Sequence, residues 1–503
     1  MWHTDPLDDV LSFFITIGSP ALAAYSLQIT HLNKRWITAA FLDVRYPNSK
    51  AISAVLSAFH HVPIQISDDP PFLHSLIVLP QNDDFWRRLL AAANKTRRRS
   101  IPLIMNFVLL IFAVILTAVD SFYPPLYGDI GYAITTTWVF LLPLIIGWLH
   151  VGCEPEPNHL RNSLESADLK AWVATNERDQ PAEAPLTIDF VKAGDVDPAR
   201  RDELRTVPLF NYARAFISPL TAERVLEFAK NAAANAEQRI PVGNSTGGVP
   251  TWVVDERGAI ANANRIGTSA EVIEYCTRIL PRVNANSSST TPLDIRSSGV
   301  TDTPPPLLPL HNPRPVTRNP SRWATGIWKR VALATILALG LQWGTVGGEV
   351  IIHYMAPPAG LGCRAVSFLL YAAAGTASFF LLLASSILAH MSRPYPGRTC
   401  ACPWLRTCQD TGAIIFRWLG KCIAILSGMG ILVVCFFQIT GAFDNCFCTS
   451  TTFDRGRHSV VFQVISYVIG SSILRIWIGA LVMAGSTATL FGFSMYLGTP
   501  PRR

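Results

Sequence analysis

The chain has 503 residues, 50% of them hydrophobic and only 15% charged, against about 25% charged in ordinary soluble domains. Its mean hydropathy of +0.28 is averaged over long polar stretches, so the remaining stretches are strongly apolar. The formal net charge of +7 would suit nucleic acid, but much of the Lys and Arg stands at the ends of apolar runs and no basic patch interleaved with aromatics competes; the pattern speaks for a bilayer with anionic lipid and against nucleic acid. Ten cysteines are too few and too scattered for a disulfide scaffold.

About twenty apolar residues cross the roughly 30 Å hydrocarbon core as a helix, and basic flanks stay in the cytosol. Residues 1–30 hold the N-terminus and a first span, Val10 to Thr30, interrupted by Gly18, Ser19 and Pro20. Its acidic flank, Asp8 and Asp9, argues against a cleaved signal peptide. The run either crosses or is embedded without crossing. Residues 31–100 form a basic polar segment ending in Arg97, Arg98 and Arg99. Residues 101–151 carry span two, Ile101 to Val119, and span three, Gly131 to Val151, with Tyr132 and Trp148 at its interfaces.

Residues 152–282 are a second polar segment, and 283–327 a disordered linker rich in Ser, Thr and Pro. The remaining spans fill residues 328–497. Span four follows Trp328, Lys329 and Arg330 and runs to Ile352; span five is Ala365 to His390; span six follows Arg417, Trp418 and Lys421 and ends at Phe443. Arg475 splits the last apolar region into an interfacial or re-entrant Val460 to Leu474 and span seven, Ile476 to Leu497. The basic loop with Arg393, Arg398, Arg406 and Arg417 belongs in the cytosol with both polar segments and the tail 498–503, leaving the N-terminus outside or luminal. Arg455 and Arg457 are the exception. If the first run does not cross, the N-terminus moves to the cytosol.

Both polar segments carry helical patterns. In the first, Ala51, Val55, Leu56 and Phe59 recur at helical spacing, and Asp83 to Asn94 reads as a capped helix with Trp86, Leu89 and Leu90 on one face. These helices either lie on the membrane or pack on each other. In the second, Thr221 to Glu237 and Ser269 to Leu280 read as helices, and Asn244 and Asn286 open glycosylation patterns that a cytosolic location would leave unused.

Ionisable residues inside a bilayer cost about 2.5–3.5 kcal/mol or more, so they mark the first place to look for chemistry. His150, Glu349, His353, His390, Lys421 and Arg475 lie near span ends, where long side chains snorkel. Glu349 is the most interior and reads as an interface carboxylate, with Arg475 or His353 as alternative partners. Gln342 and Gln438 are candidates for hydrogen bonds between helices. Gly340, Gly344 and Gly348 form consecutive G-x-x-x-G steps that admit a close helix neighbour, within the chain or in a homo-oligomer.

The cysteines divide by side. Cys363 with Cys446 or Cys448 is a candidate disulfide on the oxidising face. Cys153, Cys400, Cys402 and Cys408 are cytosolic juxtamembrane thiols, candidates for palmitoylation or left unmodified. No catalytic motif, metal cluster or cofactor fingerprint stands in the sequence.

Four phrases, Arg35 to Phe41 (RWITAAF), Ser75 to Trp86 (SLIVLPQNDDFW), Asn211 to Arg214 (NYAR) and Phe443 to Cys448 (FDNCFC), resemble a group of multi-pass integral membrane proteins of filamentous fungi with no assigned activity. The resemblance spans most of the chain outside the linker. It implies a fungal integral membrane protein and carries over no site.

The resulting expectation is an all-α membrane protein: a bundle of about seven transmembrane helices with cytosolic helical segments and a disordered linker. It is read as a non-enzymatic scaffold or sensor in the plasma membrane or an endomembrane, with a cytosolic protein partner and no cofactor. The alternative is a transporter or channel for a neutral or lipid-like substrate.

Overall fold

A computed structural model describes residues 6–58, 60, 64–65, 70–95, 135–151, 170–177, 180–184, 189–190, 198–204, 208–243, 252–254, 260–262, 265–278, 321–355, 360–393, 403–440, 442–444, 448, 453 and 470–496. The described chain is mostly helical. Span two, most of Val460 to Leu474, residues 283–320, Asn244 and Asn286 lie outside it.

Toward the N-terminus lie α1 (Pro6–Gly18), α2 (Pro20–Phe41), α3 (Ser49–Ala58), α4 (Pro70–Val78), α5 (Asn82–Lys95), α6 (Thr135–Trp138) and α7 (Leu141–Val151). The middle of the chain supplies α8 (Asn211–Arg214), α9 (Ile217–Glu237) and α10 (Ser269–Thr277). The last part holds α11 (Ile327–Met355), α12 (Cys363–Met391), α13 (Pro403–Ile439) and α14 (Gly470–Tyr496). These last four are long and apolar enough to cross a membrane; α1 and α2, bent by 97° at their junction, make a fifth if taken as one span.

Of the expected seven, four or five stand among the described residues, and span two lies outside them. Span three is divided into the 4-residue α6 and the 11-residue α7, and the latter rises only about 16 Å, roughly half the hydrocarbon thickness. Span six begins earlier than its charges suggested: α13 has 37 residues, about 55 Å of helix. Arg406 and Arg417 lie on that helix rather than in a loop. The basic residues there mark the helix's polar end, not its boundary.

The four long helices run up and down. The start of α11, the end of α12, the start of α13 and the end of α14 share one end of the bundle, and the polar segments dock there. At the other end Cys363 is bonded to Cys448, with Cα atoms 5.5 Å apart, and Phe453 N–H donates to Leu361 O at 3.0 Å.

The two polar segments form one unit with one core. Val55, Leu56, Leu76, Trp86 and Leu89 pack with Ala171, Val225, Ala229, Val272 and Cys276. Asn82 ties the first segment to the second: its side chain donates to Ser75 O (2.8 Å) and Trp172 O (2.9 Å) and accepts from Trp172 N–H (2.9 Å). Asp83 pairs with the buried Arg265. A capping box of Thr268 and Glu271 starts α10, and Asn235 closes its far end by donating to Tyr275 O at 2.7 Å.

Short antiparallel pairs, absent from the all-α expectation, border this unit. They are β1 (Ile64–Gln65) with β4 (Asp189–Phe190), β2 (Ala171–Val173) with β3 (Ala182–Ala184), and β5 (Trp252–Val254) with β6 (Ile260–Asn262). Two or three residues are too few for a strand periodicity to register.

Helix α2 belongs to both bodies. Its first half, including Leu22, Tyr25, Leu27 and Ile29, is buried in the bundle. Its second half puts Ile37 and Phe41 in the core of the polar unit.

Candidate functional site

The break between α1 and α2 sits halfway down the bundle, and its cause is local. Pro20 has no N–H and restricts the residue before it, so Ser19 leaves the helix (φ −140°, ψ 78°) and α2 starts afresh with Pro20 in its first turn. Such a break exposes carbonyls at the end of one helix and N–H groups at the start of the next. Each would cost several kcal/mol unpaired in an apolar setting. Neighbouring helices supply partners. Tyr371 OH donates to Ile17 O at 2.5 Å and Ser19 Oγ donates to Gly375 O at 2.8 Å, both from α12. Ala21 N–H donates to Gln342 Oε1 of α11 at 2.9 Å. The Gln342 amide in turn donates to Ala372 O (2.8 Å) and Thr376 Oγ1 (2.9 Å).

Glycines make this approach close. A Cβ on Gly18 would stand 1.8 Å from Ala424 O, and one on Gly428 2.4 Å from Phe14 O. Gly375 meets Gly18 O at 3.1 Å by the same measure. The break is a tight backbone junction of α1, α12 and α13.

Two turns along α11 from Gln342, on the same face, lies Glu349, with 0% exposure. Thr136 Oγ1 of α6 donates to its Oε2 at 2.5 Å. Its Oε1 is 3.2 Å from His353 Nε2, one turn further on, and that imidazole stacks on Phe368 with centroids 5.0 Å apart and planes at 8°. Glu349 is thus a buried paired carboxylate, not an interface one; Arg475, the other suggested partner, is exposed. Gln342, Glu349 and His353 form a polar stripe down the inner face of α11, from the helix break toward the disulfide-fastened end. Among the described residues no group of His, Cys, Asp and Glu is arranged to hold a metal ion.

A second polar chain joins α11 and α2 to the polar unit. Arg330 Nε donates to Asn33 Oδ1 at 2.8 Å, which fixes that amide. Asn33 Nδ2 then faces His60 Nε2 at 3.0 Å and donates to Ala215 O at 3.3 Å. The Thr30 hydroxyl donates to Ser26 O at 2.7 Å, so toward His60 Nδ1, 3.2 Å away, it acts as acceptor. His60 is therefore neutral with its proton on Nδ1. Burial and the nearby Arg214 charge hold its pKa down at about 3.

Of the glycines read as a packing face, Gly344 and Gly348 meet α14: a Cβ on Gly344 would stand 2.2 Å from Thr487 Oγ1 and one on Gly348 3.3 Å from Ala480 O. Gly340 does not share that contact, having nothing within 4 Å; steps of four overshoot the 3.6-residue turn and carry the first position off the face. Cys408 is exposed on α13; Cys153, Cys400, Cys402 and Cys446 lie outside the described residues. The sequence reading missed the Gln342 contact to the break and the buried state of Glu349. The signal was the spacing of Gln342, Glu349 and His353, which puts them on one helical face.

By helix length and apolarity the chain falls in the class of helical membrane proteins. Comparison with protein-family models, with curated proteins and with solved structures finds no match to this chain.

Proposed function

We propose that this chain is a non-enzymatic membrane sensor or scaffold, in which the state of the bundle is passed to a cytosolic unit that binds a protein partner. One observation carries the reading: α2 is a single helix with its start pinned at the break by Gln342 and its end in the core of the polar unit. A shift at the break moves Ile37 and Phe41 with it. Lys329, Arg330 and Arg393 at the polar-unit end support a cytosolic location for that unit, with the N-terminus on the opposite side if α1 and α2 make one crossing. The close glycine contacts at Gly18, Gly428 and Gly344 favour a closed bundle over a conduit.

Transport of a small neutral or lipid-like solute is the second reading, favoured by the helix broken at mid-depth beside a buried carboxylate, a placement that transporters use for substrate sites. Reconstituted vesicles separate the two. Cross-linking of the polar unit to a cytosolic protein, with no solute flux, is the expected result. Flux lost on Glu349→Gln would instead establish transport and overturn the sensor reading.

A further inference from the structure

Where the polar unit meets the bundle, a small cleft is lined by Asp202, Glu203 and Tyr212 from the unit, Ser386 and Ala389 from α12, and Arg417 from α13. It has room for about one water molecule. Each carboxylate has its own cation: Lys421 Nζ stands 2.7 Å from Asp202 Oδ1, and Arg393 pairs with Glu203. Tyr212 OH donates to Asp202 Oδ2 at 2.5 Å. Burial pushes the Asp202 carboxyl up, but the Lys421 and Arg417 charges and the two hydrogen bonds outweigh it and hold it below the usual carboxylate range. The Arg417 charge is thus set against an ionised Asp202.

One donor is left over. Arg417 is only 6% exposed, and its Nη1 is buried with no hydrogen-bond partner among the described residues. A charged donor left unanswered in a buried place is costly. Acceptors line the same cleft. A carboxylate accepts about four hydrogen bonds, and Asp202 has one named on each oxygen. The Ser386 hydroxyl is committed as a donor to Tyr212 O at 3.2 Å, so its oxygen also keeps a lone pair to offer. An occupant must therefore accept from a guanidinium and donate to a carboxylate. An anion would meet two carboxylates and a cation would meet Arg417, so the charges select a neutral group. The size of the cleft selects the smallest one.

We propose that this cleft is a built water site, in which one water accepts from Arg417 Nη1 and donates to the Asp202 carboxylate. A bridging water is nearly as good enthalpically as a direct hydrogen bond. It ties the polar unit to α13 beside the Asp202–Lys421 pair. The inference does not depend on the sensor reading, because it concerns occupancy alone.

The test is hydroxyl-radical footprinting of the full chain in nonionic detergent, with a short X-ray pulse that makes radicals from water where it stands. Tyr212 lines the cleft and Tyr371 does not; they are 2% and 4% exposed, so bulk solvent reaches both rings equally poorly. The expected result is oxidation of Tyr212 severalfold faster than that of Tyr371. Ala389→Val, whose added methyl groups fill a space for a single water, should bring Tyr212 down to the rate of Tyr371. Trp418, 59% exposed on α13, should be oxidised equally in both proteins and reports the dose. Oxidation of Tyr212 as slow as that of Tyr371 in the wild type overturns the proposal. So does fast oxidation of Tyr212 that Ala389→Val leaves unchanged, because its radicals would then come from bulk solvent. Should Ala389→Val not fold, the wild-type ratio of the two tyrosines decides: a severalfold excess at Tyr212 supports the site and equal rates overturn it.

Discussion

Gln342→Met isolates the contact that pins α2. Methionine nearly matches glutamine in length and volume, so packing changes little, but it cannot accept a hydrogen bond of useful strength from Ala21 N–H. That donor, 2.9 Å from Gln342 Oε1 in the native protein, would be left buried and unpaired, at a cost of about 1–3 kcal/mol. The other side of the amide matters less. Ala372 O also accepts from Thr376 Oγ1 at 2.8 Å and keeps that bond. The expected loss is therefore about 1–3 kcal/mol, read from the unfolding midpoint of the purified chain in mixed micelles. Hydrogen exchange should locate it, with faster exchange in the first turn of α2 and no change in α5. Gln342→Glu, studied at a pH where the side chain is neutral, retains an acceptor and should recover most of the loss. A Gln342→Met protein as stable as the wild type, with unchanged exchange at Ala21, would refute the reasoning.

Gly428→Leu should be far more damaging than Gly430→Leu, two residues along the same helix: a Cβ at Gly428 meets Phe14 O at 2.4 Å, whereas Gly430 has nothing within 4 Å. Overpacking of this kind costs about 1–3 kcal/mol or more, and the yield of monodisperse protein reads it. Stability should fall as pH drops below about 6.5, because His60 is neutral in the fold with a pKa near 3 and an ordinary value of 6.5. The unfolded chain takes up the proton first, at about 1.4 kcal/mol per pH unit within that window. His60→Gln should flatten the slope there in an unfolding series. Cys363→Ala, which opens a link across a sequence separation of 85, should lower stability by at most about 4–5 kcal/mol and leave the Cys448 thiol reactive to maleimide.

The last four spans were legible because basic residues stand at one end of each apolar run and because about twenty apolar residues suffice for a crossing. Their ends were less legible: Arg417 and Lys421 were read as flanks, yet α13 carries both in its interior, and Lys421 is held there by Asp202 of the polar unit. The break was visible in Gly18, Ser19 and Pro20, but nothing local named Gln342 or Tyr371 as its partners. That contact joins residues more than three hundred apart. For the same reason the two polar segments, each patterned for helices, gave no sign that Asn82 and Trp172 would join them into one core. Glu349 was misplaced because its distance from the span end was weighed and its face, shared with Gln342, was not.

Coupling through α2 is tested most directly by hydrogen exchange on the full chain in nanodiscs, comparing wild type with Glu349→Gln. The substitution alters the carboxyl group that Thr136 and His353 face, far from the polar unit. The account predicts altered exchange in α2 and onward into α3 and α5, where Ile37 and Phe41 join the core. Changes confined to α6, α11 and α12 around the substituted residue would contradict it.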